Sequence, residues 1–387
     1  MMHKDTVEGT QIGYCSSIRH WVRFNIEIDE DPFEFPIDPY KALFWIQTRF
    51  EEAGSIKSLK TWRAILSWIC KIAGVHPEFK EHPDYVRYIK SINKQHNEGV
   101  DSRLPFKMIH MTTYIKWLFE EYEKKPSLLI ITKATLASMY FLTMSRPSEL
   151  VESSSSYDRL RGLRIKHFKL FYDDEHNIPM IRLQIETFKN QHSRKISKYI
   201  YLAPTKCNFS KSCICRFMDP YKFFLNMIKY RDNMVVNLEA KLLKPHSTSN
   251  DHYAIKSKLQ KLRLKDDNYI FINDAGNPIN TNFLRSIVRE IIAVNNIMIT
   301  KNYTAYSWRI GGTTRASQAS LDHCIILKYV GWSTSSLQDV SMRYIRYSPE
   351  ELAIVPYKMV HPSQPLKNLN KIYDPWGEKL NLRFRKN

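Results

Sequence analysis

The side chains of this chain that suit chemistry on a phosphodiester are arginine, lysine and tyrosine. Of the 387 residues, 58 are Lys or Arg and 22 are Tyr. An arginine contacts phosphate oxygens in pairs and is never deprotonated, so two arginines can hold one phosphate. A tyrosine hydroxyl can attack the phosphorus and hold it covalently, which divides one difficult step into two easier ones. Such a site is assembled from distant segments, and periodicity alone does not choose its members.

The charge balance favours a polyanionic partner. Asp and Glu number only 39, so the formal net charge is +19. The hydrophobic fraction of 43% and the aromatic fraction of 13% predict folded cores and exclude wholesale disorder. A surplus of this size on a folded chain points to nucleic acid or an anionic membrane surface.

The membrane alternative has little support in the sequence. The first residues contain no apolar core of a secretory signal. The longest apolar stretches, 128–132 and 136–144, are much shorter than the roughly 18 residues that a spanning helix needs. Six scattered cysteines in a chain of this size are typical of a reduced intracellular protein, so we expect no secretion.

The elements that must position a site fall into two parts. Apolar spacing predicts a helical first part of about 100 residues, and the polar stretch Asn97–Pro105 is the expected linker. The predicted helices are Pro39–Phe50, Ser58–Ala73, His82–Ile92, Thr112–Glu123, Thr132–Met144, Pro220–Tyr230, Thr281–Asn295 and Thr313–Val330. The predicted strands are Leu163–Phe171, Met180–Phe188, Ile196–Leu202 and Tyr269–Asn273. The fold class is therefore α+β and mostly helical, with a small antiparallel β-sheet in the second part.

Three segments together resemble the signature of the tyrosine recombinases, the phage-integrase-like family. Tyr306–Arg315 resembles the His-x-x-Arg box that opens a helix, Gly331-Trp332 the Gly-His or Gly-Trp pair, and Met342–Glu350 the segment with the nucleophile. Leu142–Leu150 is similar to the first arginine box, in which an acid follows the Arg by three residues. These residues resemble those of the branch found in eukaryotic mobile elements of the DIRS and Crypton kind, and Cre and Flp are more distant relatives.

The resemblance implies a role for each matching residue. Tyr344 would be the nucleophile that forms a 3′-phosphotyrosyl bond, while Arg146 and Arg309 would hold the scissile phosphate. Lys189, at a predicted β-turn, would protonate the leaving 5′-oxygen. Trp332 would donate its indole N–H and pack the site, and Glu149 would orient Arg146. The resemblance implies no metal and no cofactor, because the phosphotyrosine retains the bond energy.

One position departs from the family pattern. Tyr306 stands where the family usually has His. A phenol can donate a hydrogen bond to a phosphate oxygen, but its unperturbed pKa of about 10 makes it a poor general base at neutral pH. The spacer from Trp332 to Tyr344 is also a few residues longer than the compact pattern, which leaves Tyr347 as a second candidate nucleophile.

The same resemblance predicts the domains and partners. Residues 1–100 would form a helical core-binding domain, and 106–356 the catalytic domain. Residues 357–387 would form a tail that is a candidate for exchange between subunits. The partners would be double-stranded DNA and further copies of the chain, as a tetramer on two DNA sites. The chain would act in the nucleus of a eukaryote, or otherwise in the cytoplasm with the DNA.

Other interpretations of the sequence remain open. The chain could be a DNA-binding protein on a recombinase scaffold that has lost strand cleavage, or an enzyme like the type IB topoisomerases. Cys207, Cys213 and Cys215 with His192 are candidate zinc ligands, but their spacing matches no CxxC pair, so no metal site is predicted. The basic stretch Lys256–Lys265 suits either DNA phosphates or plain solvated surface. The segment 232–267 has no assigned role.

Overall fold

The computed structural model describes residues 8–53, 56–95, 103–152, 162–173, 178–186, 198–205, 213–242, 249–298, 302–330 and 349–362. It is mostly helical with one small antiparallel sheet, as the sequence predicts. The contacts divide the chain into two units, Met1–Ser102 and Arg103–Asn387. None of the described helices is both long enough and apolar enough to cross a bilayer.

The first unit is built from helices around an aromatic core. Its helices are α1 (Glu8–Glu27), α2 (Pro39–Ala53), α3 (Ile56–Ile72) and α4 (Pro83–Gln95). Trp21 and Trp45 are buried and meet edge to face, with 5.5 Å between the ring centroids. The Trp21 indole N–H also donates to the carbonyl oxygen of Pro32, so this ring buries its apolar area without an unsatisfied donor.

The second unit packs its helices around one large core beside the sheet. Its helices are α5 (Met108–Lys124), α6 (Leu128–Thr143), α7 (Pro147–Leu150), α8 (Pro220–Leu242), α9 (Ser249–Leu262), α10 (Thr281–Val294), α11 (Ser307–Gln318), α12 (His323–Val330) and α13 (Pro349–Val360). Helix α6 is almost wholly buried. Its first turn is capped by Ser127 and by Asp274, whose carboxylate accepts from the Leu128 N–H at 2.8 Å.

The sheet contains three antiparallel strands in the order β1 (Phe168–Asp173), β2 (Ile178–Ile185) and β3 (Lys198–Leu202). Phe168 lies opposite Leu183, and Leu183 opposite Ile200. These three side chains are buried, so this row of the sheet faces the core. The register places Lys198, the first residue of β3, opposite Ile185 at the end of β2.

Several predicted elements differ in the structure; the strand predicted over Leu163–Phe171, for example, begins only at Phe168, after the 3₁₀ turn Ile165–His167. The single helix predicted over Thr313–Val330 is two helices, because Ser320 has a left-handed backbone (φ 54°) and Asp322 caps α12. The strand predicted at Tyr269–Asn273 forms only isolated bridges, from Tyr269 to Arg164 and from Ile272 to Pro278. This apolar run packs against the core, but no strand pairs with it along its whole length.

Candidate active site

Arg146 and Glu149 form a close ion pair after helix α6. The chain leaves α6 through Met144, which has a left-handed backbone (φ 52°), and enters the single turn of α7. The Glu149 carboxylate accepts from the Arg146 backbone N–H and from its guanidinium, both at 2.9 Å. Glu149 is buried, so this double contact fixes the carboxylate and the guanidinium relative to each other.

Lys198 joins the same carboxylate from the sheet. Its Nζ donates to Glu149 Oε2 at 3.1 Å and to the carbonyl oxygen of Val330 at 3.4 Å. Its side chain is about nine-tenths buried. The sequence placed Lys198 only among the basic neighbours of Lys189. The strand register brings it into the site, and the available signal was a lysine near the start of the strand predicted at Ile196–Leu202, next to the predicted β-turn.

Arg309 reaches the site from helix α11. Its guanidinium donates to the carbonyl oxygen of Met144 at 2.7 Å and to that of Val330 at 3.2 Å. Two glycines let α11 pack closely against the backbone at Phe106 and Phe141, which brings Arg309 into the site. A Cβ on Gly311 would lie 1.9 Å from the Phe106 carbonyl oxygen, and one on Gly312 would lie 2.0 Å from that of Phe141. The Arg-Ile-Gly-Gly sequence is therefore a packing requirement for the position of Arg309.

The electrostatics of this cluster reflect burial and mutual repulsion. Burial and the nearby Arg146 charge lower the pKa of Arg309 to about 10, which leaves it charged at neutral pH. Burial also lowers the pKa of Lys198, although Glu149 opposes that shift. Burial alone would raise the pKa of Glu149, but Lys198 and Arg146 outweigh burial and hold it below its usual value.

Tyr306 lies at the start of α11, on the edge of a cleft. Its ring is 42% exposed and lies under the guanidinium of Arg103, 4.9 Å from ring centroid to guanidinium carbon. The cleft has a volume of about 780 Å³ and is also lined by Pro147, Arg285 and Arg289. The phenol is thus accessible beside the Arg146 turn.

The remaining predicted residues fall elsewhere. Lys189, Trp332, Tyr344 and Tyr347 lie outside the described residues, as do His192 and Cys207. Val330, the last described residue before Gly331-Trp332, is the acceptor shared by Arg309 and Lys198. Cys213 and Cys215 face His361.

The described cluster is suited to binding an anion. Arg146, Arg309 and Lys198 bring three positive charges together, and Glu149 is the carboxylate that contacts this group. Collecting like charges in a partly buried place is costly unless a negative group completes the site. A phosphodiester presents two non-bridging oxygens, and each guanidinium group can contact such oxygens through two parallel N–H donors.

Comparison with known proteins does not assign the chain. No model of a known protein family matches it, and no curated protein does. The function of the chain therefore has to be inferred from the residues of the site.

Proposed function

We propose that the chain cuts and rejoins DNA strands through a 3′-phosphotyrosyl intermediate, as a site-specific recombinase for the integration or excision of a mobile element. The observation that carries this proposal is the convergence of Arg146 and Arg309, from distant segments, on Glu149 and Lys198. The positive charge of this cluster exceeds its negative charge by two, which suits a phosphate that gains charge in the transition state.

The proposed reaction assigns one role to each group. The Tyr344 oxygen forms a bond to phosphorus while the bond from phosphorus to the 5′-oxygen breaks. Arg146 and Arg309 donate to the non-bridging oxygens, and Glu149 holds Arg146 in place. A lysine gives a proton to the leaving 5′-oxygen, and the resemblance assigns that role to Lys189. Rejoining runs the same steps in reverse with the 5′-hydroxyl of a second strand.

The wider arrangement follows from the same proposal. The helical first unit and the second unit both contact duplex DNA, and a tetramer brings two sites together through the part of the tail 357–387 that follows His361. Tyr357, Met359 and His361 themselves are buried within the second unit. The net charge of +19 supports binding to a polyanion. On this proposal the chain works where its DNA is, in the nucleus if the source is a eukaryote.

The decisive experiment is a test for a covalent adduct. A pool of duplexes with random sequence, each with a nick that lets the short cleaved product diffuse away, is incubated with the full chain. The mixture is denatured and run on a gel. We expect an adduct with the unaltered chain and none with Tyr344→Phe, while Tyr347→Phe serves as the matched control and still gives the adduct.

The other outcomes separate the alternatives. An adduct lost only in Tyr347→Phe moves the nucleophile to Tyr347. Tight, salt-sensitive DNA binding without any adduct favours a DNA-binding protein that has lost cleavage, and Tyr306→His then tests whether the phenol is the cause. Relaxation of supercoiled DNA that lacks paired sites favours an enzyme like the type IB topoisomerases.

A further inference from the structure

Two cysteines and a histidine from distant parts of the second unit meet beside the sheet. Cys213 precedes a short 3₁₀ helix, Ile214–Phe217, and Cys215 lies within it. His361 follows the end of α13. The two sulfur atoms and the imidazole nitrogen all lie within 4.8 Å of one another. The Cys213 Sγ is 3.9 Å from the His361 Nδ1.

The imidazole of His361 presents a lone pair to these sulfur atoms. Its Nε2 lies 2.9 Å from the carbonyl oxygen of Thr205, which can only accept a hydrogen bond. Nε2 therefore holds the hydrogen, and in the neutral ring Nδ1 is the bare nitrogen.

The donors and their spacing suit zinc. Thiolate and imidazole are its usual protein ligands, and tetrahedral bonds of about 2.3 Å to sulfur and about 2.0 Å to nitrogen place a sulfur donor and a nitrogen donor about 3.5 Å apart. A backbone carbonyl that accepts from the outer N–H of the histidine is the common support of such a ligand. Cys215, His361 and Thr205 are all buried, which limits competition from water.

We propose that Cys213, Cys215 and His361 bind one Zn²⁺ ion that joins the segment before α8 to the end of α13. Binding converts two thiols to thiolates and releases two protons, and these three side chains supply three of the four tetrahedral positions. Helix α13 is also held at this end by Arg315, whose Nε donates to the carbonyl oxygen of Met359 at 2.8 Å. The ion is a structural element of the second unit, and its binding does not depend on the proposed DNA chemistry.

The first measurement is metal content. The full chain, without an affinity tag that binds metal, is purified under reducing conditions and analysed by mass spectrometry for elements. We expect about one zinc per chain. Replacement by Co²⁺ should give the sulfur-to-metal charge-transfer band and the visible bands of a tetrahedral site with thiolate ligands.

Variants assign the ligands. Cys213→Ser, Cys215→Ser and His361→Gln should each weaken zinc binding by more than the roughly 10- to 100-fold that losing an outer partner of a ligand costs. Cys324→Ser in the same unit and Cys70→Ser in the first unit are matched controls and should keep the zinc. A chain without zinc and without the cobalt bands overturns the proposal. So does zinc that persists in all three ligand variants.

A thermal measurement covers the case in which a variant fails to fold. A chelator should lower the Tm of the unaltered chain, and added Zn²⁺ should restore it. A Tm that neither the chelator nor Zn²⁺ changes would overturn the proposal, because the ion would then have no structural role.

Discussion

The guanidinium of Arg309 donates a hydrogen bond of 3.2 Å to the carbonyl oxygen of Val330. Val330 ends α12 and directly precedes Gly331-Trp332 in the sequence. Lys198 donates to the same oxygen, and Arg309 also donates to the carbonyl oxygen of Met144, next to the turn of Arg146. One arginine therefore links the segment that the resemblance matches to the Gly-Trp pair with the segment that it matches to the first arginine box.

Arg309→Lys tests this link together with the proposed catalytic role. Lysine has no planar fork and cannot reach both carbonyl oxygens, so we expect adduct formation to fall by roughly 100-fold or more. The free energy of unfolding should fall by about 1–3 kcal/mol. Single-turnover cleavage and urea unfolding measure the two effects. Arg315→Lys, on the same helix, also loses a contact with a backbone carbonyl, at Met359, and should lose stability without a comparable loss of cleavage.

The general acid can be located with a modified substrate. Lys189→Ala should slow cleavage of normal DNA, while sulfur in place of the 5′-bridging oxygen should restore the rate because a thiolate leaves without a proton. Lys198→Ala should slow cleavage of both substrates, since Lys198 contacts Glu149 and Val330 and acts by positioning the site. Rescue of Lys198→Ala by sulfur, and not of Lys189→Ala, would reverse the two roles.

Glu149→Gln should change how stability depends on pH. The folded state lowers the pKa of Glu149, so its ionisation stabilises the fold above the unfolded pKa of about 4.3. That contribution is lost as the pH falls through the lower folded value. The difference in unfolding free energy between the unaltered chain and Glu149→Gln should therefore be largest near neutral pH and shrink below about pH 4.3. Urea unfolding at several pH values measures it, and a difference that grows with acid would contradict this account.

Gly311→Ala tests the close approach of α11. The added Cβ would lie 1.9 Å from the Phe106 carbonyl oxygen, so backbone must move, and we expect a loss of about 3 kcal/mol or more. Thr314→Ala on the exposed side of α11 is the matched control and should stay within about 0.5 kcal/mol of the unaltered chain. Thermal unfolding compares the two, and equal stability would show that α11 adjusts freely.

Arg231 explains how part of the segment 232–267 is held. It is buried, and its guanidinium donates to five backbone carbonyl oxygens, those of Leu262, Tyr269, Ile270, Lys261 and Arg263. Arg231→Met should cost about 3–5 kcal/mol, because it removes a buried donor group shared by five backbone carbonyls.

The control for this change is an exposed arginine nearby. Arg263→Met removes a surface ion pair with Glu239 and should cost at most about 1 kcal/mol. Urea unfolding measures both variants. Similar losses would show that Arg231 does not anchor α9.

Local periodicity predicted most helices, because each needs one apolar face. The helices predicted at Pro39 and Ser58 correspond to α2 and α3, and their predicted ends differ from the observed ends by at most a few residues. The break at Ser320 was missed, since serine is not a typical left-handed residue and only the cap at Asp322 marks a new start.

The site itself depends on contacts that sequence spacing does not show. Arg146 and Glu149 are three residues apart, and their pairing was predicted. Lys198 enters through the strand register, and His361 meets Cys213 only through the packing of α13. The predicted roles of Lys189, Trp332 and Tyr344 stay predictions.

Helix α11 holds both flanks of the segment between Val330 and Pro349. Arg309 contacts Val330 before it and Arg315 contacts Met359 after it, and these arginines lie about 9 Å apart along the helix axis. The spacing of the two anchors is therefore set by the helix and not by the chain between them. A change of sequence or length between the anchors would leave that spacing in place. The scaffold can thus be inherited while the segment that the resemblance assigns to the nucleophile diverges.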